Sequence, residues 1–515
     1  MVKIFIDGKQ VEAKDGSTIL KAAEEAGIQI PHLCYHPAFA PEGSCRMCMV
    51  EIEGLPKLEL SCSTLVREGL KISTTSPRVI EARKSVLEFL LAEHPLDCPI
   101  CDKAGECKLQ DYYEEYGFFE SQFKEEKEKK SKKVRIGKNL ILDQERCVLC
   151  TRCVRFLREI TKSEELGVFE RGVRSVVDIY EKDLIENNYS GNLVDLCPGG
   201  AITDVDFRFK TRTWFLRSKE SICPLCSRGC NIFIQYHPGF PRFELPKRVY
   251  RIKPRENPEV NGFWICDQGR YGYSYLDENR LFEIVQNGER KQEEQGIVKE
   301  IAEKIRRMRY ANRLKRVAVI LNCWLSNEEL FLAKKIFCES LKLEKVFFVD
   351  PPLGKGDDYL LTEDRSPNRR GAKEIGFSYK PLDFNALQTE VELLVVFGPF
   401  LTENFILAEI KSVLDKIETK ILFTFKKNDF LRFFETVLPT AHIAEKEGSL
   451  VNVEGKVQIF NQALEPRGKS LPEWKILLDL AKEMSIDFNY YRQFSSPQDI
   501  RREMAKEIPF FENMK

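Results

Sequence analysis

The 515-residue chain has no apolar run near the 18 residues that a membrane-spanning helix needs, so no direct membrane span is expected. It has no excess of charge either. Lys plus Arg is 80, Asp plus Glu is 80, and the net charge is zero. Nucleic-acid binders usually carry a basic surplus, so nucleic acid is not an expected partner. No G-x-G-x-x-G follows a strand pattern, which removes the dinucleotide fingerprint. Gly354-Lys355-Gly356 lacks phosphate-loop spacing and reads as a surface loop. The opening MVKIFIDGKQVEA has no apolar leader segment and no Arg/Ser-rich transit character. It reads directly as a strand and turn, and the expected location is cytoplasmic.

What the chain does have is cysteine. There are 17, and 15 fall into four tight groups before residue 267; Cys323 and Cys338 stand apart. The count is odd and the expected compartment is reducing, so grouped thiols point to metal binding and not to disulfides.

Length alone suggests three or four domains at about 150 residues each. Val2–Ile6 alternates as a strand, Asp7-Gly8-Lys9 is a hairpin signal, and Ser17–Ala26 reads as a capped helix. Met49–Ile52 and Leu58–Cys62 read as short strands, and Pro77–Leu91 as a helix. Lys124–Lys133 is a mixed-sign charge run, expected to be a solvated helix face or linker. From about residue 280, Arg316–Asn322, Lys345–Asp350, Glu392–Gly398 and Lys420–Phe425 are short apolar runs of the kind buried in a parallel sheet. Helical patterns at Asn327–Leu341 and Glu403–Ile417 alternate with them, which predicts an α/β domain.

The first group is Cys34, Cys45, Cys48 and Cys62, with three thiols on one loop and a fourth from a later strand. This is the general plan of a [2Fe–2S] ferredoxin site, although the first gap is longer than the plant-type spacing; structural zinc is the alternative. Gly43 and Ser44 let the backbone hug the site. The second group is Cys98, Cys101 and Cys107, and His94 is the only nearby group that could supply a fourth ligand. Zinc accepts such a Cys₃His set equally well. In the third group, Cys147, Cys150 and Cys153 are followed by a distant Cys197-Pro198, a strong [4Fe–4S] signal. Leu157 stands where a two-cluster ferredoxin has its next cysteine, so one cluster is expected here. The fourth group, Cys223, Cys226, Cys230 and Cys266, suits a [4Fe–4S] cluster or a zinc ribbon. Filled with iron–sulfur clusters, the four sets would carry about 14 iron atoms. Closely spaced one-electron centres make a wire, whereas zinc would make the chain a structural scaffold.

In this order, the four groups resemble the large iron–sulfur subunits of respiratory complex I, the proton-pumping NADH–quinone oxidoreductases, in their bacterial form. The first ~215 residues are also similar to electron-input regions of NAD-linked hydrogenases and formate dehydrogenases, and residues 216–275 to the iron–sulfur domain that opens molybdopterin oxidoreductases. Ser366–Gly376 (SPNRRGAKEIG) and Ala444–Leu464 are further family-like pieces. The resemblance implies a multidomain α+β chain. A β-grasp [2Fe–2S] ferredoxin domain would span 1–78, a His-Cys₃ [4Fe–4S] domain 79–133 and a [4Fe–4S] ferredoxin-like domain 134–215. A molybdopterin-oxidoreductase-type [4Fe–4S] domain would follow at 216–275 and a truncated α/β domain at 276–515.

The same resemblance implies one [2Fe–2S] cluster on Cys34, Cys45, Cys48 and Cys62. It implies [4Fe–4S] clusters on His94, Cys98, Cys101 and Cys107; on Cys147, Cys150, Cys153 and Cys197; and, off the main route, on Cys223, Cys226, Cys230 and Cys266. No molybdopterin, FMN or NAD is expected on this chain, since Cys323 and Cys338 read as core cysteines and about 240 residues is short for an enclosing domain. The implied activity is electron relay within NADH:quinone oxidoreductase, with no NADH or quinone site and no catalytic residue of its own. The implied partners are the FMN/NADH-binding flavoprotein and other iron–sulfur subunits of the peripheral arm, on the cytoplasmic side of the inner membrane. A relay subunit of a hydrogenase or formate dehydrogenase is the competing redox reading.

Overall fold

The computed structural model describes residues 1–117, 120–180, 184–239, 245, 247–291, 294–377, 387, 391–398 and 407–514. They form two compact units, Met1–Phe215 and Leu216–Lys515. No described helix is long and apolar enough to cross a membrane.

In the first unit, β1 (Val2–Ile6) and β2 (Lys9–Ala13) are an antiparallel hairpin. Its turn places Asp7 and Gly8 at φ +49° and +81°, the successive left-handed pair that a two-residue hairpin needs. The helix α1 (Ile19–Glu25) starts where Thr18 Oγ1 accepts the Lys21 N–H at 3.3 Å. With β3 (Met49–Ile52), β4 (Glu59–Leu60) and β5 (Lys71–Ser73) the hairpin forms a five-stranded sheet in the order β2-β1-β5-β3-β4. The core under it contains Ile4, Ile6, Leu20, Val50 and Ile72, and also the thiols of Cys48 and Cys62. The strand expected over Leu58–Cys62 is shorter than its apolar pattern. Just past the Met49–Leu60 pair, the N–H and hydroxyl of Ser61 both donate to the Cys48 carbonyl.

The helix α2 (Pro77–Ala92) has Ser76 as its cap and Pro77 at its first position. The charge run Lys124–Lys133 is not helical but an irregular strap. Three of its lysines have fixed partners. Lys127 Nζ donates to the carbonyls of Leu91, Ala92 and His94 at 2.7–2.8 Å, satisfying the open end of α2. Lys130 donates to the Ser175 carbonyl, and Lys132 pairs with Glu145 and Asp97. Beyond α3 (Lys108–Tyr116), β6 (Val134–Arg135), β7 (Leu140–Leu142) and α4 (Arg152–Arg155) come a hairpin, β8 (Leu166–Phe169) with β9 (Val176–Ile179), and then α5 (Asn192–Leu196). The unit closes with β10 (Ile202–Asp204), which pairs with β7. A π-helical segment, Phe156–Thr161, extends α4.

The second unit begins with an antiparallel sheet of β11 (Arg217–Ile222), β12 (Asn231–Tyr236) and β13 (Val249–Pro254), followed by α6 (Asp267–Tyr271). Its main sheet adds β14 (Ile284–Gln286), β15 (Glu289–Lys291), β16 (Val317–Asn322), β17 (Lys345–Val349), β18 (Leu393–Phe397), β19 (Thr419–Thr424) and β20 (Thr436–Pro439). The order is β15-β14-β20-β19-β18-β16-β17, and β16 through β20 run parallel, as the buried apolar runs require. The pattern at Asn327–Leu341 is helical over nearly its whole length, with α7 (Asn327–Ala333) passing into a π-helical Lys334–Ser340. Leu407–Leu414 is helical as expected, while residues 403–406 lie outside the described ones.

Candidate metal centres

The thiols of the first group come together in two pairs. Cys34 hydrogen-bonds with Cys45, and Cys48 with Cys62. The bond from its partner holds Cys34 and Cys48 below the usual thiol range, while Cys45 and Cys62 are pushed up. The N–H groups of Leu33 and Cys34 donate to Cys45 Sγ at 3.3 and 3.4 Å.

In the second group, burial pushes Cys107 up to about 11, and Cys101 up as well. Backbone N–H groups of Lys103, Leu109 and Gln110 oppose this by donating to the two sulfurs. Cys98 is exposed. Burial draws His94 down to about 4, so its ring is a neutral donor of electron pairs near pH 7. Its Nδ1 is buried with no hydrogen-bond partner among the described residues. Such an atom costs stability unless something binds it.

The third group lines a small cavity of about 20 Å³ with Cys147, Cys150, Cys153 and Cys197. Burial pushes Cys147 to about 12 and Cys150 to about 11, and lifts Cys153 well above its usual value; neighbouring cysteines add to each shift. The turns between them hold Leu149 and Thr151 at φ +50° and +57°, and Arg46 sits at +54° between Cys45 and Cys48. Non-glycine residues enter this region at a cost of about 1–2 kcal/mol each. Such outliers concentrate where function over-determines the backbone. Here they accompany N–H groups of Leu149, Arg152 and Val154 that donate to Cys147, Cys150 and Cys153.

In the fourth group, Cys223 and Cys230 lie in an apolar core with Ile222, Ile232 and Ile265. Burial raises Cys223 and Cys230 well above their usual values and Cys266 to about 12, with Cys226 charge acting on all three. The Gly269 N–H donates to Cys266 Sγ at 3.3 Å. A Cβ on Gly269 would sit 3.2 Å from Cys223 Sγ.

Burial disfavours the charged form of most of these thiols. A bound cationic core would restore it, and the backbone N–H donors to sulfur suit such a core. The donor sets therefore fit iron–sulfur centres. Among the described residues, no three His, Cys, Asp or Glu side chains are gathered as a site for a single metal ion.

Within the first unit the three groups are tied together. One apolar cluster contains Cys34, Cys45, Cys107 and Cys150, packed with Leu33, Met47, Leu87 and Leu109. Tyr112 Oη, on the helix after Cys107, bonds both the N–H and the carbonyl of His32. Arg146 and Asp97 pair across the second and third groups, and the Lys108 N–H donates to the Pro198 carbonyl at 3.0 Å. A Cβ on Gly200 would collide with Cys101 Sγ. Arg152 bonds the carbonyls of Tyr35 and Leu196. None of Tyr112, Arg146, Arg152, Arg155 and Gly200 is singled out by motif. The arginines flanking Cys153 in T-R-C-V-R were the available signal.

Comparison with known proteins gives these sites a context. Residues 1–77 match the 2Fe-2S iron-sulfur cluster binding domain. Residues 83–122 match the NADH-ubiquinone oxidoreductase-G iron-sulfur binding region. Residues 137–203 match the ferredoxin-like domain of NADH-quinone oxidoreductase subunit 3. The chain is 43% identical over 293 residues to the NADH-ubiquinone oxidoreductase 75 kDa subunit of Reclinomonas americana, covering 56% of this chain and 41% of that one. The chain is homologous to the G subunit of NADH-quinone oxidoreductase. That of Streptomyces coelicolor is 40% identical over 280 residues, covering 54% of this chain and 32% of its own length. That of Rickettsia bellii is 29% identical over 632 aligned residues, covering all of this chain and 90% of its own. The first four such matches span from about a third to about a half of the relatives' own length, 32–49%. A chain of an NAD+-reducing [NiFe]-hydrogenase in its H2-reduced state covers 41% of this chain and 91% of its own, at 31% identity and a TM-score of 0.38.

Residues 369–483 match molybdopterin oxidoreductase. Open α/β sheets bind ligands beyond the carboxyl ends of their strands, where the strand order reverses. Between β16 and β18 that place is taken by Asn322, whose side chain donates to the Phe397 carbonyl at 2.9 Å. Trp324, Phe425 and His442, just past β16, β19 and β20, form a ring cluster with half-buried Tyr275 at centroid distances of 5.6–6.5 Å. Among the described residues, this edge of the sheet is packed with the chain's own side chains. Cys323 is buried and hydrogen-bonds Ser366 and Asp350, as a core thiol does.

Proposed function

We propose that this chain is the electron-transfer subunit of a respiratory NADH:quinone oxidoreductase, relaying electrons one at a time from an NADH/FMN subunit towards quinone. The observation that carries the reading is the single apolar cluster that contains Cys34 and Cys45, Cys107 and Cys150, one or two sulfurs from each of three groups. The homologues' names agree with it.

On this reading Cys34, Cys45, Cys48 and Cys62 hold a [2Fe–2S] cluster. His94, Cys98, Cys101 and Cys107 hold a [4Fe–4S] cluster, as do Cys147, Cys150, Cys153 and Cys197. Cys223, Cys226, Cys230 and Cys266 hold a fourth cluster off the route. When bound, these groups supply one-electron oxidation and reduction with little rearrangement. The chain's own residues bury most of the sulfurs and aim backbone N–H groups at several of them. A five-segment division at 78, 133, 215 and 275 follows, with a β-grasp first domain. The last domain carries no molybdopterin, which the packed edge around Asn322 and Trp324 supports. The partners are the flavoprotein and other iron–sulfur subunits of the peripheral arm, on the cytoplasmic side of the membrane.

Anaerobic iron and acid-labile sulfide analysis with low-temperature EPR of the reduced chain tests this. About 14 iron atoms are expected, with one [2Fe–2S] and several [4Fe–4S] signals. About 10 would leave the relay and empty the Cys223 site. Stoichiometric zinc without a signal would overturn the reading.

A further inference from the structure

Arg155 is among the largest fully buried side chains of the protein, with 2% of its surface exposed. Its Nη2 donates to the carbonyls of both Cys34 and Cys150, the second at 3.3 Å. Nη1 donates to the Ala40 carbonyl at 2.9 Å and Nε to Thr151 Oγ1 at 3.3 Å. The guanidinium carbon stands 5.3 Å from the Phe39 ring centroid. One fork therefore spans the loop of the first cysteine group and the loop of the third.

A guanidinium in such a place has exchanged water for neutral carbonyls, a costly trade unless a net negative charge lies close. Its ion pair with Glu42 is stretched to 4.0 Å, and the Glu42 side chain is 42% exposed. The nearby negative charge must come from elsewhere. Thiolate-bound iron–sulfur centres at the two groups would provide it on both sides.

We propose that Arg155 is a positioning residue shared by two centres, locking the Cys34 loop to the Cys150 loop and favouring the reduced form of both by its charge. The proposal rests on the ligand assignment above. Uptake of one electron at either site adds one negative charge, which a buried cation bonded to the carbonyls of Cys34 and Cys150 stabilises. Loss of that cation then lowers both potentials together. The fork also fixes the gap between the two loops, because a planar guanidinium bonded at three nitrogens has no freedom to swing.

The test is an EPR-monitored redox titration of the full chain carrying its clusters, comparing wild type with Arg155→Met and Arg155→Lys, with iron measured in each. Arg155→Met is expected to keep its iron and to move the [2Fe–2S] signal and the Cys147-group [4Fe–4S] signal to more negative potentials. The Cys223-group signal should stay in place, and Arg155→Lys should return both shifted signals towards wild type. Full iron with either potential unmoved in Arg155→Met overturns the proposal. Should Arg155→Met shed iron from either site, Arg155→Lys decides. Iron retained at wild-type potentials supports the charge role, and iron lost there too reduces Arg155 to a packing residue. Wild-type protein without [2Fe–2S] and [4Fe–4S] signals would instead defeat the ligand assignment itself.

Discussion

The two units bury their interiors by different means. The main sheet of the second unit contains strands such as β16 and β18, buried at every position, with Phe397 stacked on Phe423 at 4.6 Å. Several buried charges inside this unit are paired with one another or with backbone carbonyls. Lys446 lies between Glu329 and Glu473, and Arg280 between Glu445 and the Phe425 carbonyl. In residues 1–215 the strands are short, and sulfur atoms stand in the core where side chains of Leu or Ile would otherwise pack. The second unit pairs buried charges in its main core and holds one of the four cysteine groups, whereas the first holds three. On the proposed reading the folding of the first unit is the more strongly coupled to metal.

The largest effect should come from removing iron. Chelation under reducing, anaerobic conditions should strip amide protection from residues 30–62 and 94–153 and leave β16, β18 and β19 protected in hydrogen exchange. Equal protection in both units would erase the distinction. A smaller, local break should follow Gly200→Ala, whose Cβ meets Cys101 Sγ. Iron analysis should fall by about four atoms, one [4Fe–4S] centre, with the second unit's stability unchanged; full iron content would refute the close approach.

In the second unit, Lys446→Met leaves Glu329 and Glu473 buried without their cation. Breaking a buried pair this way costs about 3–5 kcal/mol, read as a lower denaturant midpoint, with iron content unaltered. A change under about 1 kcal/mol, the size expected of an exposed pair, would mean that the charges are not the balancing device described.

The mildest test is by pH. His442 Nδ1 accepts the Ala444 N–H at 3.0 Å and its Nε2 faces the Leu276 carbonyl at 2.9 Å, which fixes a neutral ring. Burial holds it down, to about 3. The unfolded chain takes up this proton below about 6.5 and the folded chain does not. The resulting stability is complete above that pH and is lost as pH falls towards 3, at up to about 1.4 kcal/mol per pH unit. Urea titrations should show this slope reduced in His442→Gln, and an identical slope would exclude His442 as its source.

Much of this molecule is legible without coordinates. The hairpin at Asp7-Gly8, the helix starting at Ser76-Pro77 and the parallel strands from Val317 onward follow from local rules of turns, caps and buried apolar runs. The cysteines are legible as four groups too, since most of them recur at short spacings along the chain. The strap at Lys124–Lys133 is not, since a lysine that fills a helix end looks in sequence like one facing water.

By itself, the sequence grouped the thiols by their spacing and marked strands such as Val2–Ile6 and Val317–Asn322, since both depend on neighbours a few residues apart. Tertiary structure alone decided which groups adjoin. Arg155 reaches Cys34 across 121 residues, Tyr112 reaches His32 across 80, and Gly200 lies against Cys101. These contacts arise from packing in three dimensions, where one buried guanidinium or one missing Cβ sets the approach of two loops and no spacing along the chain records it.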